Sequence, residues 1–163
     1  MQVHTVTGDL IEMLRLGKID AAVHGCNCFH TMGSGIAPKL NELSGNRLLM
    51  ADRQTPYGDI NKLGTFSSAN FRLTQSSPTV HNAYTQFNYG SSDGGEVYVH
   101  WRSFYRALFG IVIDAGDRGV KTIGVPLIGC GLAGGQRADF DYWVKTVVYD
   151  LPHVDVTLYI VEY

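Results

Sequence analysis

The sequence predicts a three-layer α/β fold, with helices on both faces of a mixed, largely parallel sheet of about six strands. Three observations lead there. Strand-like and helix-like segments alternate along the chain. The segment from Ala21 to Cys26 is almost wholly apolar, as in a strand buried on both faces. The 19 glycines cluster in loops, two of which follow predicted strands. With 163 residues, the chain is expected to form one domain, 1–163, that buries a core without disulfides or a structural metal.

Taken in order, Val3 to Thr7 is a short strand ending at Gly8-Asp9, and Leu10 to Leu16 offers one or two helical turns closed by Gly17. Ala21 to Cys26 is the second strand. Ile36, Leu40, Leu43 and Leu48 to Ala51 then predict helix, broken or bent near Gly45. Pro56-Tyr57-Gly58-Asp59 is a turn signal. Gly64 to Phe71 and Thr79 to Gln86 read as strands split by Ser76-Ser77-Pro78. The clearest helix spans Glu96 to Ala115, with Trp101, Phe104, Tyr105, Leu108, Ile111, Val112 and Ala115 at three- and four-residue steps. Thr122 to Ile128 is a strand in which Pro126 marks an edge or an end. A helix carrying Phe140, Trp143, Val144, Val147 and Val148 and a strand from Val154 to Val161 complete the chain. The total is about six strands and four helices.

Composition excludes several classes. Thirteen basic residues against fifteen acidic ones give a formal charge of -2, so an overall basic footprint for nucleic acid is missing. Nucleic acid is therefore not the expected partner, and nine tyrosines do not by themselves make a stacking platform. Three cysteines do not form a disulfide scaffold. Met1-Gln2-Val3-His4 carries no signal-peptide pattern, and no apolar run reaches the roughly eighteen residues of a membrane span. A cytoplasmic protein without membrane attachment is expected.

In open α/β sheets ligands bind at the carboxyl ends of strands, beside helix N-termini. Gly8-Asp9, Asn27 to Ala37 and Gly129 to Gly135 all fall there. The last two are glycine-lined loops leading into helices, suited to surrounding phosphate with backbone N–H groups. Two such loops point to a diphosphate ligand. Asp9 is either the cap of the helix beginning at Leu10 or an acceptor for an adenine amino group. Asn27 either stabilises its loop or contacts a ribose.

His24-Gly25-Cys26-Asn27-Cys28-Phe29-His30 is the densest reactive segment. Its His and Cys residues are zinc ligands in type, yet ligands at period two on one extended segment do not readily close a tetrahedron. Structural cysteine is the reading, with no metal. His24 is either a satisfied core histidine or a general acid. Other equipment is missing: there is no P-loop, no metalloprotease helix motif and no nucleophile elbow. Cys130 and Arg137 are one residue too far apart for a cysteine phosphatase loop. Gly129-Cys130-Gly131-Leu132-Ala133-Gly134 fits the letters of a dinucleotide fingerprint but follows the fifth strand rather than the first.

Four stretches resemble the macro domain family in order and spacing, over almost the whole chain. They are Thr7-Gly8-Asp9-Leu10; His24-Gly25-Cys26-Asn27-Cys28 with Gly33-Ser34-Gly35-Ile36-Ala37; Lys62-Leu63-Gly64-Thr65-Phe66; and Pro126-Leu127-Ile128-Gly129-Cys130-Gly131-Leu132-Ala133-Gly134-Gly135. The chain is most similar to the small stand-alone macro domains of bacteria and phages, which resemble the yeast-type ADP-ribose 1''-phosphate phosphatases. The resemblance implies an ADP-ribose cleft. Within it Gly8, Asp9 and Leu10 lie at adenine, Asn27 at the distal ribose, and Gly33 to Ala37 along the distal ribose and diphosphate. Ile128, Gly129, Cys130, Gly131, Leu132, Ala133 and Gly134 wrap the diphosphate. Tyr159 is either an adenine-stacking residue or core.

In the phosphatase branch a histidine implicated in catalysis stands at the position of His24. The terminal glycohydrolase branch carries an aspartate where this chain has Ala133, so release of ADP-ribose from a protein ester loses its expected group. Asp93, in the Gly90 to Gly95 loop, is the candidate acidic partner, or an ordinary turn residue. The resemblance thus implies metal-independent, cofactor-free removal of the terminal phosphate of ADP-ribose 1''-phosphate, a by-product of tRNA splicing. Asp93 would direct water at phosphorus, and His24 would act as acid or nucleophile. The alternatives are an ADP-ribosyl hydrolase acting on ADP-ribosylated macromolecules and a non-enzymatic ADP-ribose reader or scavenger.

Overall fold

The computed structural model describes residues 1–163. Its strands are β1 (Gln2–Thr7), β2 (Ala21–Cys26), β3 (Phe66–Asn70), β4 (Thr79–Tyr84), β5 (Thr122–Pro126) and β6 (Thr157–Glu162). Its α-helices are α1 (Leu10–Arg15), α2 (Ala37–Leu43), α3 (Arg47–Arg53), α4 (Trp101–Asp117) and α5 (Arg137–Asp150). Single 3-10 turns occupy Ile60–Lys62 and Ser92–Gly94. The strands form one sheet in the order β1-β6-β5-β2-β4-β3, parallel throughout except for β3. The predicted α/β class and strand count therefore hold.

Helices cover both faces. On one, Leu10, Leu14, Leu40 and Leu48 bring α1, α2 and α3 against Ala22, Val80 and Val161. On the other, Phe104, Leu108 and Ile111 of α4 and Phe140, Val144 and Val147 of α5 pack on Val23, Ile123, Val125, Leu158 and Ile160. Alternate residues of β2 thus belong to opposite cores, which explains its unbroken apolar sequence.

The helical stretch after Ile36 is broken at Gly45, as expected, because Gly45 and Asn46 both take left-handed φ values, 62° and 70°. A helix start differs from expectation. The long helix begins at Trp101, not Glu96. Its expected first turn pairs elsewhere: the Tyr98 N–H donates to Ala133 O at 2.8 Å, and Val99 bridges Gln86. Pro126 ends β5, where its missing N–H breaks no ladder.

Candidate ligand cleft

The neighbouring strands β2 and β5 feed helices on opposite faces, α2 on one and α5 on the other. Their mutual ladder comprises only Ala21–Ile123 and Ala22–Gly124. This is a topological switch point, where chains departing in opposite directions leave a crevice at the carboxyl ends. Two contiguous hollows of about 460 Å³ each occupy it. They share Gly25, Ser34, Ala37, Gln86, Leu132 and Ala133. Each volume lies in the range of small-molecule sites.

The loop after β5 forms one wall. Gly129 and Gly134 hold φ values of 81° and 76°, and a Cβ on Gly134 would stand 2.5 Å from Glu96 O. The resulting turn is closed by Gly134 N–H to Gly131 O at 3.0 Å and Gly135 N–H to Gly129 O at 2.7 Å. The N–H groups of Gly131, Leu132 and Ala133 donate to no acceptor in the protein. The facing loop is equally rich in unused donors, since no N–H from His30 to Ile36 makes a hydrogen bond within the chain. Consecutive donors of this kind favour anionic oxygens.

Asn27 anchors that facing loop. Its Nδ2 donates to Thr31 Oγ1 at 2.6 Å and Thr31 O at 3.2 Å, while its Oδ1 accepts the Phe29 N–H at 2.8 Å. Asn27 is thus a loop-stabilising side chain that also lines the second hollow. Gly33, Ser34, Gly35, Ile36 and Ala37 line one or both hollows, as do Ile128 to Ala133. Gly134 shapes the wall rather than lining it.

His24 borders the first hollow but is only 1% exposed. Its Nε2 lies 2.7 Å from Asn82 Oδ1, its cross-strand neighbour. Asn82 Nδ2 donates to Leu48 O and Ser67 Oγ, so its oxygen is the acceptor and the His24 proton sits on Nε2. Burial lowers the His24 pKa from 6.5, keeping the ring neutral. Burial likewise pushes the Cys130 thiol up, so no thiolate nucleophile stands in the cleft.

Asp9 lies outside the two central hollows, lining two others beside α1. Its Oδ1 caps α1 by accepting Ile11 N–H at 2.9 Å and Glu12 N–H at 3.3 Å. Burial and the Asp9 carboxylate together raise the pKa of Tyr163, whose side chain lines the first hollow and is 76% exposed. Gly8 donates its N–H to Glu162 O at 2.7 Å, and Leu10 is fully buried in the core.

Tyr159 sits four residues before Tyr163, about 13 Å back along an extended strand. It packs near His4 and lines the outer hollow beside β1. Asp93 is exposed in its turn and borders neither central hollow, although its loop neighbours Tyr89, Gly90 and Ser91 do. Tyr163, Glu162 and Gln86 join the site without a sequence signal beyond their places after or at strand ends. Glu162 is neutralised by Arg137 at the start of α5, which also binds Asp141 at 2.9 Å.

With this architecture the chain has the macrodomain fold. It superposes on the macrodomain of Mycobacterium tuberculosis DarG with a TM-score of 0.73 at 17% identity, covering 98% of this chain and 97% of that one. The Thermus aquaticus DarG macrodomain gives 0.74 at 17% identity, with 99% of each chain covered. A Trypanosoma brucei macrodomain in complex with ADP-ribose gives 0.65 at 14%, covering 98% of this chain and 63% of that one. No family model matches the sequence. The chain is 35% identical over 142 residues to an uncharacterized 17.5 kDa protein from the tk-vs intergenic region of Enterobacteria phage T4, with 83% of each covered. It belongs to the family of that phage protein.

Proposed function

We propose that the cleft binds ADP-ribose and that the protein removes the terminal phosphate of ADP-ribose 1''-phosphate without a metal. One observation carries the reading: two sets of unused backbone donors, Gly131 to Ala133 and Thr31 to Ile36, border one crevice. The first set suits the diphosphate. The second, beside Asn27, suits an anionic group on the distal ribose. The Asp9–Tyr163 end then takes adenine, with carboxylate for the amino group and ring for the face.

In this reading the N–H groups stabilise charge on the transferring phosphoryl group. Asp93, in the loop whose Tyr89, Gly90 and Ser91 border the second hollow, would direct water at phosphorus, and the departing ribose oxygen takes its proton from solvent. His24 holds β2 in place beneath Asn27, because its one ring proton is already committed to Asn82. The burial of His24 also favours a second reading, an ADP-ribose reader that does not turn over. Phosphate release from ADP-ribose 1''-phosphate, measured in excess EDTA across pH 5 to 8, separates these. Turnover without a histidine-like limb supports the positioning role. A limb that vanishes in His24→Ala makes the ring the acid instead. Tight binding with no phosphate released leaves the reader.

A further inference from the structure

Three side chains with amide or carboxylate oxygens line the two central hollows: Asn27, Gln86 and Glu162. Asn27 Oδ1 accepts the Phe29 N–H, and Glu162 is tied through Oε1 to Arg137, which leaves its charged Oε2 without a partner. Gln86 is the one of the three that borders both hollows, and its acceptor is neutral. Its Nε2 donates to Asn88 O at 2.8 Å, and a backbone carbonyl can only accept, so the amide orientation is determined. Its Oε1 is turned away from Asn88 and accepts from nothing in the protein. Gln86 is half-buried and borders both hollows, at the junction between the wall of Gly131 to Ala133 and the Asn27 loop.

A residue with a free acceptor that borders both hollows, each carrying unused N–H donors, suits a ligand group that donates. Diphosphate oxygens and a terminal phosphate dianion only accept. The donors of an ADP-ribosyl group are its ribose hydroxyls and the adenine amino group, and the adenine end lies at Asp9 and Tyr163. We propose that Gln86 Oε1 accepts a hydrogen bond from a hydroxyl of the distal ribose. Gln86 thereby becomes a specificity-determining residue that separates ADP-ribosyl ligands from ADP. This inference rests on the ADP-ribose reading above.

The test is calorimetric titration of ADP-ribose and ADP into wild type, Gln86→Leu and Gln86→Glu. Glutamate keeps an acceptor but loses the donor to Asn88; leucine loses both. Wild type is expected to prefer ADP-ribose. Leucine should weaken ADP-ribose about tenfold, the worth of one well-placed hydrogen bond, and leave ADP within twofold. Glutamate should keep the wild-type ratio of the two affinities, even if charge repulsion lowers both.

Several results overturn the proposal while leaving the ADP-ribose reading intact. These are equal wild-type affinity for the two ligands, an unchanged ratio in the leucine variant, or a ratio lost equally in both variants. The last outcome would assign Gln86 to loop structure. Wild type that binds neither ligand overturns the ADP-ribose reading and this proposal with it. Thermal unfolding checks each fold, and Gln86→Met, of similar length and without amide atoms, replaces the leucine variant should that fail to fold.

Discussion

Asp9 carries two loads that different substitutions separate. Its Oδ1 caps α1, and its carboxylate is the acceptor that we assign to adenine. Asp9→Ala should cost about 1 kcal/mol of stability through the lost cap. Asp9→Asn keeps a capping oxygen and should leave thermal unfolding nearly unchanged, while weakening ADP-ribose through loss of the acceptor charge. Equal ADP-ribose affinity in Asp9→Asn and wild type would leave Asp9 a cap alone. The capping alternative for Asp9 was legible, because glycine then aspartate follows a strand and precedes a helix; its place outside the two central hollows was not. Tyr163 was not legible either, since a residue just past a strand carries no periodicity. Tyr159 drew attention as an aromatic in that strand, but strand geometry places it well short of the carboxyl end.

The loop from Gly129 to Gly135 was the most legible element, because its clustered glycines have few uses besides tight turning and close approach. Its contact with the preceding loop was not legible. Glu96 O stands where a Gly134 side chain would begin, and Tyr98 N–H ties the two loops together at Ala133. Gly134→Ala therefore faces both a close contact and a left-handed φ of 76°. We expect a loss of about 1–3 kcal/mol in denaturant unfolding, with ADP-ribose affinity falling at least tenfold. Wild-type stability and affinity in that variant would contradict the loop geometry. The same pairing explains why α4 starts late: Val97 lies in the register of Trp101 and Phe104, yet the tertiary contacts of Tyr98 and Val99 with Ala133 and Gln86 won.

Across the whole molecule, the sheet buries two histidines in neutral form. His81, 2% exposed, donates to or accepts from Ser68 Oγ at 2.6 Å, and its pKa falls from 6.5 to about 4. Burial is the main cause; the Asp114 carboxylate opposes it and Arg118 adds to it. Between these values the unfolded chain binds a proton that the native state refuses. Stability is thus whole above pH 6.5 and declines as pH falls toward 4, by about 3 kcal/mol from His81 alone. His24 adds to the decline in the same direction. Urea unfolding of wild type and His81→Gln at pH 7, 5.5 and 4.5 checks this. The variant should be less stable at pH 7 but show a shallower acid decline, and parallel declines would refute it.

The α/β class was readable because β2 sends alternate residues into two cores. The switch point between β2 and β5 required strand order, which no local pattern encodes. Binding of ADP-ribose at that switch point is the central claim. Gly131 offers the direct test, because its φ is not left-handed and a Cβ there meets nothing within 4 Å. Gly131→Glu should fold like wild type while placing a carboxylate where the diphosphate is to sit. Titration of ADP-ribose should give saturable one-to-one binding to wild type and at least a hundredfold loss in Gly131→Glu at unchanged melting temperature. Undiminished binding in the variant, or none to wild type, would contradict the account.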